Sequence, residues 1–224
     1  MGLKDRLLAP LAGQLGHPRG LVGRYVTSML NRTNQVPITA AIDALAPAPG
    51  QVVADVGFGG GLGLDLLLDV VGGAGKVYGF DISRVAVEQT GRRRRKAVAD
   101  GRLVVREASM EQLPLGDGAL DGLITVNTIY FIPELRPAFA ELARVLSSTG
   151  RLVVGLGDPD AMARMPVTAS GFRLRPVTEV ETALAEAGFR VVNHRRLNRG
   201  DLVFHLLVAA PATPDQQRMP ERQG

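Results

Sequence analysis

Val53-Ala-Asp-Val-Gly-Phe-Gly-Gly-Gly-Leu-Gly63 is the stretch that decides the fold: a short apolar run leads into five glycines within seven residues. A glycine-rich turn between a strand and a helix usually faces a nucleotide, because glycine lets the backbone adopt positive φ and approach a ligand closely. After Gly50, short apolar runs alternate with amphipathic segments. That alternation predicts βα units and a mostly parallel sheet.

The spacing of the glycines separates one class of nucleotide from another. A P-loop is excluded, because no Lys follows these glycines. The dinucleotide fingerprint Gly-x-Gly-x-x-Gly needs a glycine where the sequence has Leu62 or Leu64. The pattern that fits is an acidic residue followed by alternate glycines, Asp55-x-Gly57-x-Gly59-x-Gly61. A carboxylate at the end of the strand repels a pyrophosphate and attracts a ligand that carries positive charge.

In this pattern the sequence resembles the class I S-adenosylmethionine-dependent methyltransferases, in particular small-molecule enzymes of the methyltransferase domain 11 type. Further motifs follow in the family's order: the strand Lys76–Asp81 with its terminal acid, Ala108–Pro114 like the family's Asp-Ala-x-x-Leu-Pro, Asp117–Asn127 like its "DGSFD" turn, and Ala138–Leu146 with Gly150–Val154 like its "E-x-x-R-V-L-x-x-G-G". The resemblance covers about residues 50–209.

The resemblance implies a place for each part of S-adenosylmethionine. The first acid and the glycines would bound the methionine portion, the second acid would accept hydrogen bonds from the ribose, and the third motif would lie against the adenine. The implied cofactor-binding residues are Asp55, Gly57, Phe58, Gly59, Gly61, Asp81, Ile82, Ser109, Met110 and Asn127.

Two of these residues depart from the family or allow two interpretations. Ser109 stands where the family has an acid, which leaves the adenine to backbone groups and to Met110. Phe58 is bulkier than usual and would pack either on the methionine chain or on the neighbouring helix.

Candidates for the catalytic group are His17 and Tyr130. His17 lies in the segment that covers the substrate in this family, and a histidine there could deprotonate an acceptor hydroxyl. Asn127 and Tyr130 are similar to the Asn-Pro-Pro-Tyr loop of amino-group methyltransferases, but both prolines are missing. That difference favours a role in lining the mouth of the fourth strand. His194 and His205 fall in the last two strands and are expected to be structural.

The predicted fold is α/β: a Rossmann-like, doubly wound sheet of seven strands in the order 3-2-1-4-5-7-6, with strand 7 antiparallel. The order rests on the resemblance, and the antiparallel pair rests on the short link between the last two strands. We expect a helical substrate-covering segment at 1–47, the cofactor domain at 48–210 and a disordered tail at 211–224. The predicted strands are 51–56, 76–81, 102–106, 120–126, 150–156, 189–196 and 202–209, and the predicted helices are 62–71, 84–96, 134–147 and 178–187.

Composition limits the function classes. The chain of 224 residues has no cysteine, and 26 Lys and Arg stand against 22 Asp and Glu. No ligand cluster points to a metal and no segment to a membrane span, so we expect metal-independent, cytoplasmic chemistry on a small-molecule acceptor. The basic run Arg92–Lys96 would wrap around a helix, and is expected to be a solvated helix end rather than a nucleic-acid surface.

Three rival hypotheses remain open at the level of the sequence. They are an NAD- or NADP-dependent oxidoreductase on the same type of sheet, a nucleic-acid methyltransferase, and a catalytically silent protein that only binds S-adenosylmethionine. The sequence predicts neither the identity of the acceptor nor the oligomeric state.

Overall fold

The computed structural model describes residues 34–165, 168, 171–199 and 202–212. Within them a seven-stranded sheet has the order β3-β2-β1-β4-β5-β7-β6, as predicted. The strands are β1 Val52–Val56, β2 Lys76–Asp81, β3 Leu103–Glu107, β4 Leu120–Val126, β5 Leu146–Gly157, β6 Phe189–Arg199 and β7 Leu202–Pro211. The helices are α1 at 34–45, α2 Leu62–Val71, α3 Arg84–Arg93, α4 Arg95–Ala99, α5 Leu135–Val145, α6 Pro159–Ala163 and α7 Val177–Glu186.

The central strands are buried on both faces. β1 and β4 are almost wholly apolar and pair in parallel, so helices must cover the sheet on each side. One core cluster contains the apolar faces of α5 and α7, and the other contains those of α1 and α2. Because the order of the strands reverses between β1 and β4, their carboxyl ends open the crevice in which this architecture binds ligands.

The last two strands form the predicted antiparallel hairpin. β7 pairs antiparallel with both β5 and β6. It runs through Pro211, one residue into the segment expected to be a disordered tail, and residues beyond Ala212 lie outside the described residues.

Three local features differ from the sequence prediction. The helix expected at 84–96 is broken at Arg94, which has φ −110° and ψ 28° between α3 and α4. β5 begins at Leu146, before the predicted start at residue 150. The helix α6, which was not predicted, follows β5 because the side chain of Asp158 accepts a hydrogen bond from the Ala161 N–H and Pro159 occupies the first turn.

Two charged residues of the sequence motifs, Asp121 and Arg144, form hydrogen bonds that stabilise the sheet and the turns beside it. The Asp121 carboxylate accepts a hydrogen bond of 2.8 Å from the Val52 N–H, which fixes the start of β1. Arg144 pairs with Glu141 and Asp117 and donates to the carbonyl of Leu115. The motifs after β3 therefore include structural ties as well as candidate ligand contacts.

The helix α1 belongs to the expected N-terminal segment. Its buried side chains Ala41, Ile42 and Leu45 join the core cluster of α2. Residues 1–33 of that expected segment lie outside the described residues. Among the described helices, none is both long and apolar enough to cross a membrane.

Candidate active site

The loop between β1 and α2 has a backbone that only glycine adopts readily. Gly57, Gly59 and Gly61 have φ values of 80°, 50° and 78°, in the left-handed region that side chains disfavour. A Cβ at Gly57 would also collide with the Thr128 side chain. The loop is therefore packed against the end of β4, and its N–H groups lie at the carboxyl edge of the sheet.

Asp55 is a buried acid next to this loop. It is 4% exposed, and its strand lies between β2 and β4. A Cβ on Gly63 would collide with its Oδ2 atom, so the first turn of α2 leaves room for the carboxylate. Burial, and secondly the nearby Asp81 carboxylate, raise the pKa of Asp55 to about 8. A cation placed beside Asp55 would relieve both effects.

Asp81 ties the end of β2 to the glycine loop. One carboxylate oxygen accepts from the Gly59 N–H and the other from the Ser83 N–H, each at 2.8 Å. A carboxylate oxygen can accept more than one hydrogen bond. Ile82, the next residue, is 55% exposed. The Asp81 carboxylate thus lies beside an exposed apolar side chain.

The residues expected near the methionine chain and the adenine are mostly buried or held by contacts within the protein. Phe58 is 4% exposed, belongs to the core cluster of Leu64 and lies close to Gly79, which favours the helix-packing alternative. Met110 is 3% exposed and lies in the core cluster of α5. Ser109 accepts a hydrogen bond of 3.2 Å from the Glu111 N–H. The turn after β3 is therefore ordered by its own contacts.

A chain of hydrogen bonds closes the mouth of β4. Asn127, at φ 58°, donates through Nδ2 to Asn34 Oδ1 at 3.0 Å. Its Oδ1 accepts from the Tyr130 hydroxyl at 3.1 Å, and that hydroxyl accepts from the Gly157 N–H at 2.5 Å. We call Asn34, Asn127, Tyr130 and Gly157 the polar network. Burial raises the pKa of Tyr130, so this phenol keeps its proton and is a poor general base.

Arg94 was missed by the sequence prediction, which expected a solvated basic run. Its side chain is 12% exposed, against 82% for Arg92. It donates to the Gly61 carbonyl at 2.7 Å and pairs with both oxygens of Asp65. The expectation fails at this one position because the helix breaks there. No feature of the repeated arginines distinguishes Arg94 from its neighbours.

The two histidines of the hairpin contact each other. His194 Nε2 and His205 Nδ1 are 2.8 Å apart, and His205 Nε2 lies 3.2 Å from Asp158 Oδ2. His194 Nδ1 lies 3.6 Å from Glu181 Oε1. Both nitrogens of His205 are thus engaged within the protein. His17, the other candidate base, lies outside the described residues.

These residues fit S-adenosylmethionine better than a phosphate-containing nucleotide. The loop beside Asp55 and Asp81 is acidic, whereas a pyrophosphate requires N–H groups and positive charge. The methionine part of S-adenosylmethionine carries a sulfonium and an ammonium group, and the ribose offers two hydroxyls to a carboxylate. Among the described residues, no group of three or more His, Asp or Glu side chains could hold a metal ion.

Comparison with known proteins finds similarity to methyltransferases. Residues 54–154 match the family model described as "Methyltransferase domain". A protein of transposon TN4556 from Streptomyces fradiae, described as uncharacterized, is 36% identical over 121 residues, which are 54% of this chain and 34% of that protein. An O-methyltransferase of Pyrenophora dematioidea is 29% identical over 161 residues, 67% of this chain and 58% of that enzyme.

A solved structure shares the fold. The geranyl diphosphate C-methyltransferase of Streptomyces coelicolor, in complex with Mg²⁺, geranyl diphosphate and S-adenosyl-L-homocysteine, superposes with a TM-score of 0.69 at 17% identity. The match covers 89% of this chain and 89% of that one. By contrast, the chain spans between about a third and three fifths of the length of the two curated relatives described above.

Proposed function

We propose that this chain is a class I S-adenosylmethionine-dependent methyltransferase that transfers the methyl group of S-adenosylmethionine to a small-molecule acceptor, a proposal supported by the match of residues 54–154 to a methyltransferase domain. The observation that carries the proposal is the pair of acids at the glycine loop. Asp55 is buried where a cation would lower its raised pKa, and the Asp81 carboxylate accepts a hydrogen bond from the loop at the Gly59 N–H.

Each cofactor contact follows from the chemistry of the residue. Asp55 would hold the ammonium of the methionine portion, while the loop from Gly57 to Gly61 would let the backbone approach it. Asp81 would accept hydrogen bonds from the ribose hydroxyls. Ile82, exposed beside Asp81, would cover one face of the adenine, and the turn at Ser109 and Met110 would lie at its edge.

When bound, S-adenosylmethionine supplies an electrophilic methyl group on a sulfonium. The polar network would hold the wall of the site at the mouth of β4, because Tyr130 fixes Asn127 and Gly157 at once. Asn127 would lie where the donor and the acceptor meet. Alignment of nucleophile, methyl carbon and sulfur supplies much of the acceleration without a base. His17 remains the candidate base for an acceptor that must lose a proton.

An aromatic cluster that packs against the core lies next to Tyr130 of the polar network. The rings of Phe131 and Phe172 lie 4.9 Å apart, and that of Phe172 lies 5.5 Å from Tyr130. One curated relative is named as an O-methyltransferase. The link from Asn127 to Asn34 places the start of α1 beside the mouth of β4, which supports a covering role for the segment at 1–47.

Calorimetric titration of the full chain tests the proposal. We expect S-adenosylmethionine and S-adenosylhomocysteine to bind with micromolar affinity, and NAD and NADP not to bind. Asp81→Ala should weaken binding of S-adenosylhomocysteine at least a hundredfold, because each hydrogen bond to a charged group contributes about 1.5–3 kcal/mol. Asp100→Ala is the matched control, since Asp100 is an acid paired with Lys96 at the surface.

Two results would contradict the proposal. Binding of a nicotinamide cofactor in place of the adenosyl compounds would favour the oxidoreductase. An unchanged affinity in Asp81→Ala would remove Asp81 from the ribose site. A methyl acceptor assay with RNA, DNA and small hydroxylated or amine-containing compounds then separates the acceptor classes, and salt-dependent capture of nucleic acid would favour the nucleic-acid alternative.

A further inference from the structure

The break between α3 and α4 turns one arginine of the basic run inward. Arg94 leaves the helical conformation, with φ −110° and ψ 28°, and its side chain is 12% exposed. Its neighbours Arg93 and Arg95 are exposed. Burying a guanidinium is costly unless its N–H groups find partners; in Arg94, Nε and Nη2 have partners, and Nη1 is buried without one among the described residues. Those partners lie at the end of the glycine loop.

Arg94 contacts both Gly61, the last residue of the loop, and Asp65 in the first turn of α2. Nη2 donates to the Gly61 carbonyl at 2.7 Å, and the Nε and Nη2 atoms pair with the two carboxylate oxygens of Asp65. This two-point pairing fixes the plane of the guanidinium as well as its distance. Arg94 therefore connects the loop to the first turn of α2.

The Gly61 carbonyl needs such support. Gly61 is the N-cap of α2 at φ 78°, and α2 has no side-chain cap. The hydrogen bond that the helix itself gives to this carbonyl, from the Asp65 N–H, is long at 3.4 Å. A Cβ on Gly61 would press on the guanidinium at 3.0 Å. Of these two hydrogen bonds that the Gly61 carbonyl accepts, the one from Arg94 is therefore shorter than the one from the Asp65 N–H. It restrains a glycine, which has few conformational restraints of its own.

We propose that Arg94 is a positioning residue for the cofactor, which holds the left-handed conformation of Gly61 and so pre-forms the glycine loop that S-adenosylmethionine meets. The inference rests on the proposed function, because it needs the loop to be the cofactor site. Arg94 acts through Gly61 and Asp65 and touches no reacting group. A pre-formed loop loses less conformational entropy on binding.

The conservative variant Arg94→Lys gives the sharpest test. Lysine keeps the charge but is a point donor that cannot hold the planar two-point pairing. We expect Arg94→Lys to weaken binding of S-adenosylhomocysteine about tenfold, equal to one hydrogen bond to a charged group. Arg92→Ala, from the exposed side of the same run, should bind within twofold of the unmodified chain.

Asp65→Asn keeps the inference testable if Arg94→Lys fails to fold. It removes the charge partner and leaves the Gly61 carbonyl available, so we expect a smaller loss of about threefold. Combining the two substitutions should weaken binding by less than the product of the single losses, because both act on one unit.

Amide hydrogen exchange separates positioning from general stability. In the free Arg94→Lys protein, the amides of residues 57–63 should exchange faster while those of β4 and β5 are unchanged, and saturating S-adenosylhomocysteine should restore their protection. A lower melting temperature with an unchanged dissociation constant would make Arg94 merely structural and overturn the inference. Failure of the unmodified chain to bind S-adenosylhomocysteine would instead overturn the proposed function.

Discussion

The two sides of the crevice are built by different means. On the β1 and β2 side, the glycine loop is shaped by its own backbone, with three positive φ values within five residues, and is held by Asp81. On the β4 and β5 side, the polar network joins side chains far apart in the sequence, such as Asn34 and Asn127. The first side depends on glycine at particular positions as well as on ties to Asp81 and Arg94, whereas the second depends on hydrogen bonds between distant side chains.

The two sides of the crevice should therefore respond differently to amino-acid substitutions. An added Cβ in the left-handed region costs about 1–2 kcal/mol, and more where it also meets a neighbour, as at Gly57 beside Thr128. A hydrogen-bonded network can lose one member and keep its shape, at the cost of the partners left unpaired. Substitutions should therefore affect cofactor affinity on the first side and stability on the second.

The largest expected effect comes from Gly57→Ala. The new Cβ would need φ near 80° and would collide with Thr128, which together should cost about 2–4 kcal/mol of unfolding free energy. We also expect binding of S-adenosylhomocysteine to fall at least a hundredfold. Urea denaturation and calorimetry measure the two effects.

Gly101→Ala is the matched control for Gly57→Ala. Gly101 has φ 71°, and an added Cβ there meets nothing within 4 Å. It should lose only about 1 kcal/mol, with unchanged affinity. Equal losses in the two variants would mean that the packing of the loop against Thr128 has no special importance.

Tyr130→Phe tests the second side and should have a smaller effect. The ring would remain, but the buried Gly157 N–H would lose the partner that it has at 2.5 Å, costing about 1–3 kcal/mol. Affinity for S-adenosylhomocysteine should stay within threefold. Tyr78→Phe, whose ring stacks on Phe80, serves as the control. A large loss of cofactor affinity in Tyr130→Phe would show that the two sides are not separable.

The smallest expected effect is a pH dependence of stability from the histidine pair. Burial, and secondly the nearby His205, lower the pKa of His194 below 6.5, while Glu181 opposes and Arg196 adds to the shift. The unfolded chain therefore takes up a proton first as the pH falls, so this contribution to stability is present above pH 6.5 and is lost in acid.

Thermal melts between pH 5 and 8 measure this effect. The unmodified chain should lose roughly 1–2 °C more on acidification than His194→Gln. Asp158, whose pKa is held below 3.8 chiefly by the Ala161 N–H, contributes stability that disappears only in stronger acid, so it does not confuse the comparison. If the melting temperatures of the two proteins changed equally with pH, His194 would not be the source of the pH dependence.

The sequence predicted the parts of the molecule that depend on local pattern. The strands could be located because apolar runs and turn residues are local signals, and their order was predicted from the resemblance to the family. The antiparallel hairpin followed from a link too short for a crossover.

Other parts could not be predicted, because they depend on contacts between distant residues. The inward turn of Arg94 arises from a helix break and from Asp65, 29 positions away. The contact of His205 with Asp158 spans 47 positions. No short-range pattern marks either pair, so residue type alone made Arg94 look solvated.

Proton release on cofactor binding, measured by calorimetry in buffers of different ionisation enthalpy, tests the central claim most directly. Since the pKa of Asp55 is raised to about 8, this carboxyl is mostly protonated at pH 7 in the free protein, and a bound ammonium would favour its ionised form. We predict release of nearly one proton per S-adenosylhomocysteine at pH 7, little release at pH 9.5, and none with Asp55→Asn, which should bind weakly. Tight binding without proton release, unaffected by Asp55→Asn, would contradict the assignment of the buried acid to the methionine portion.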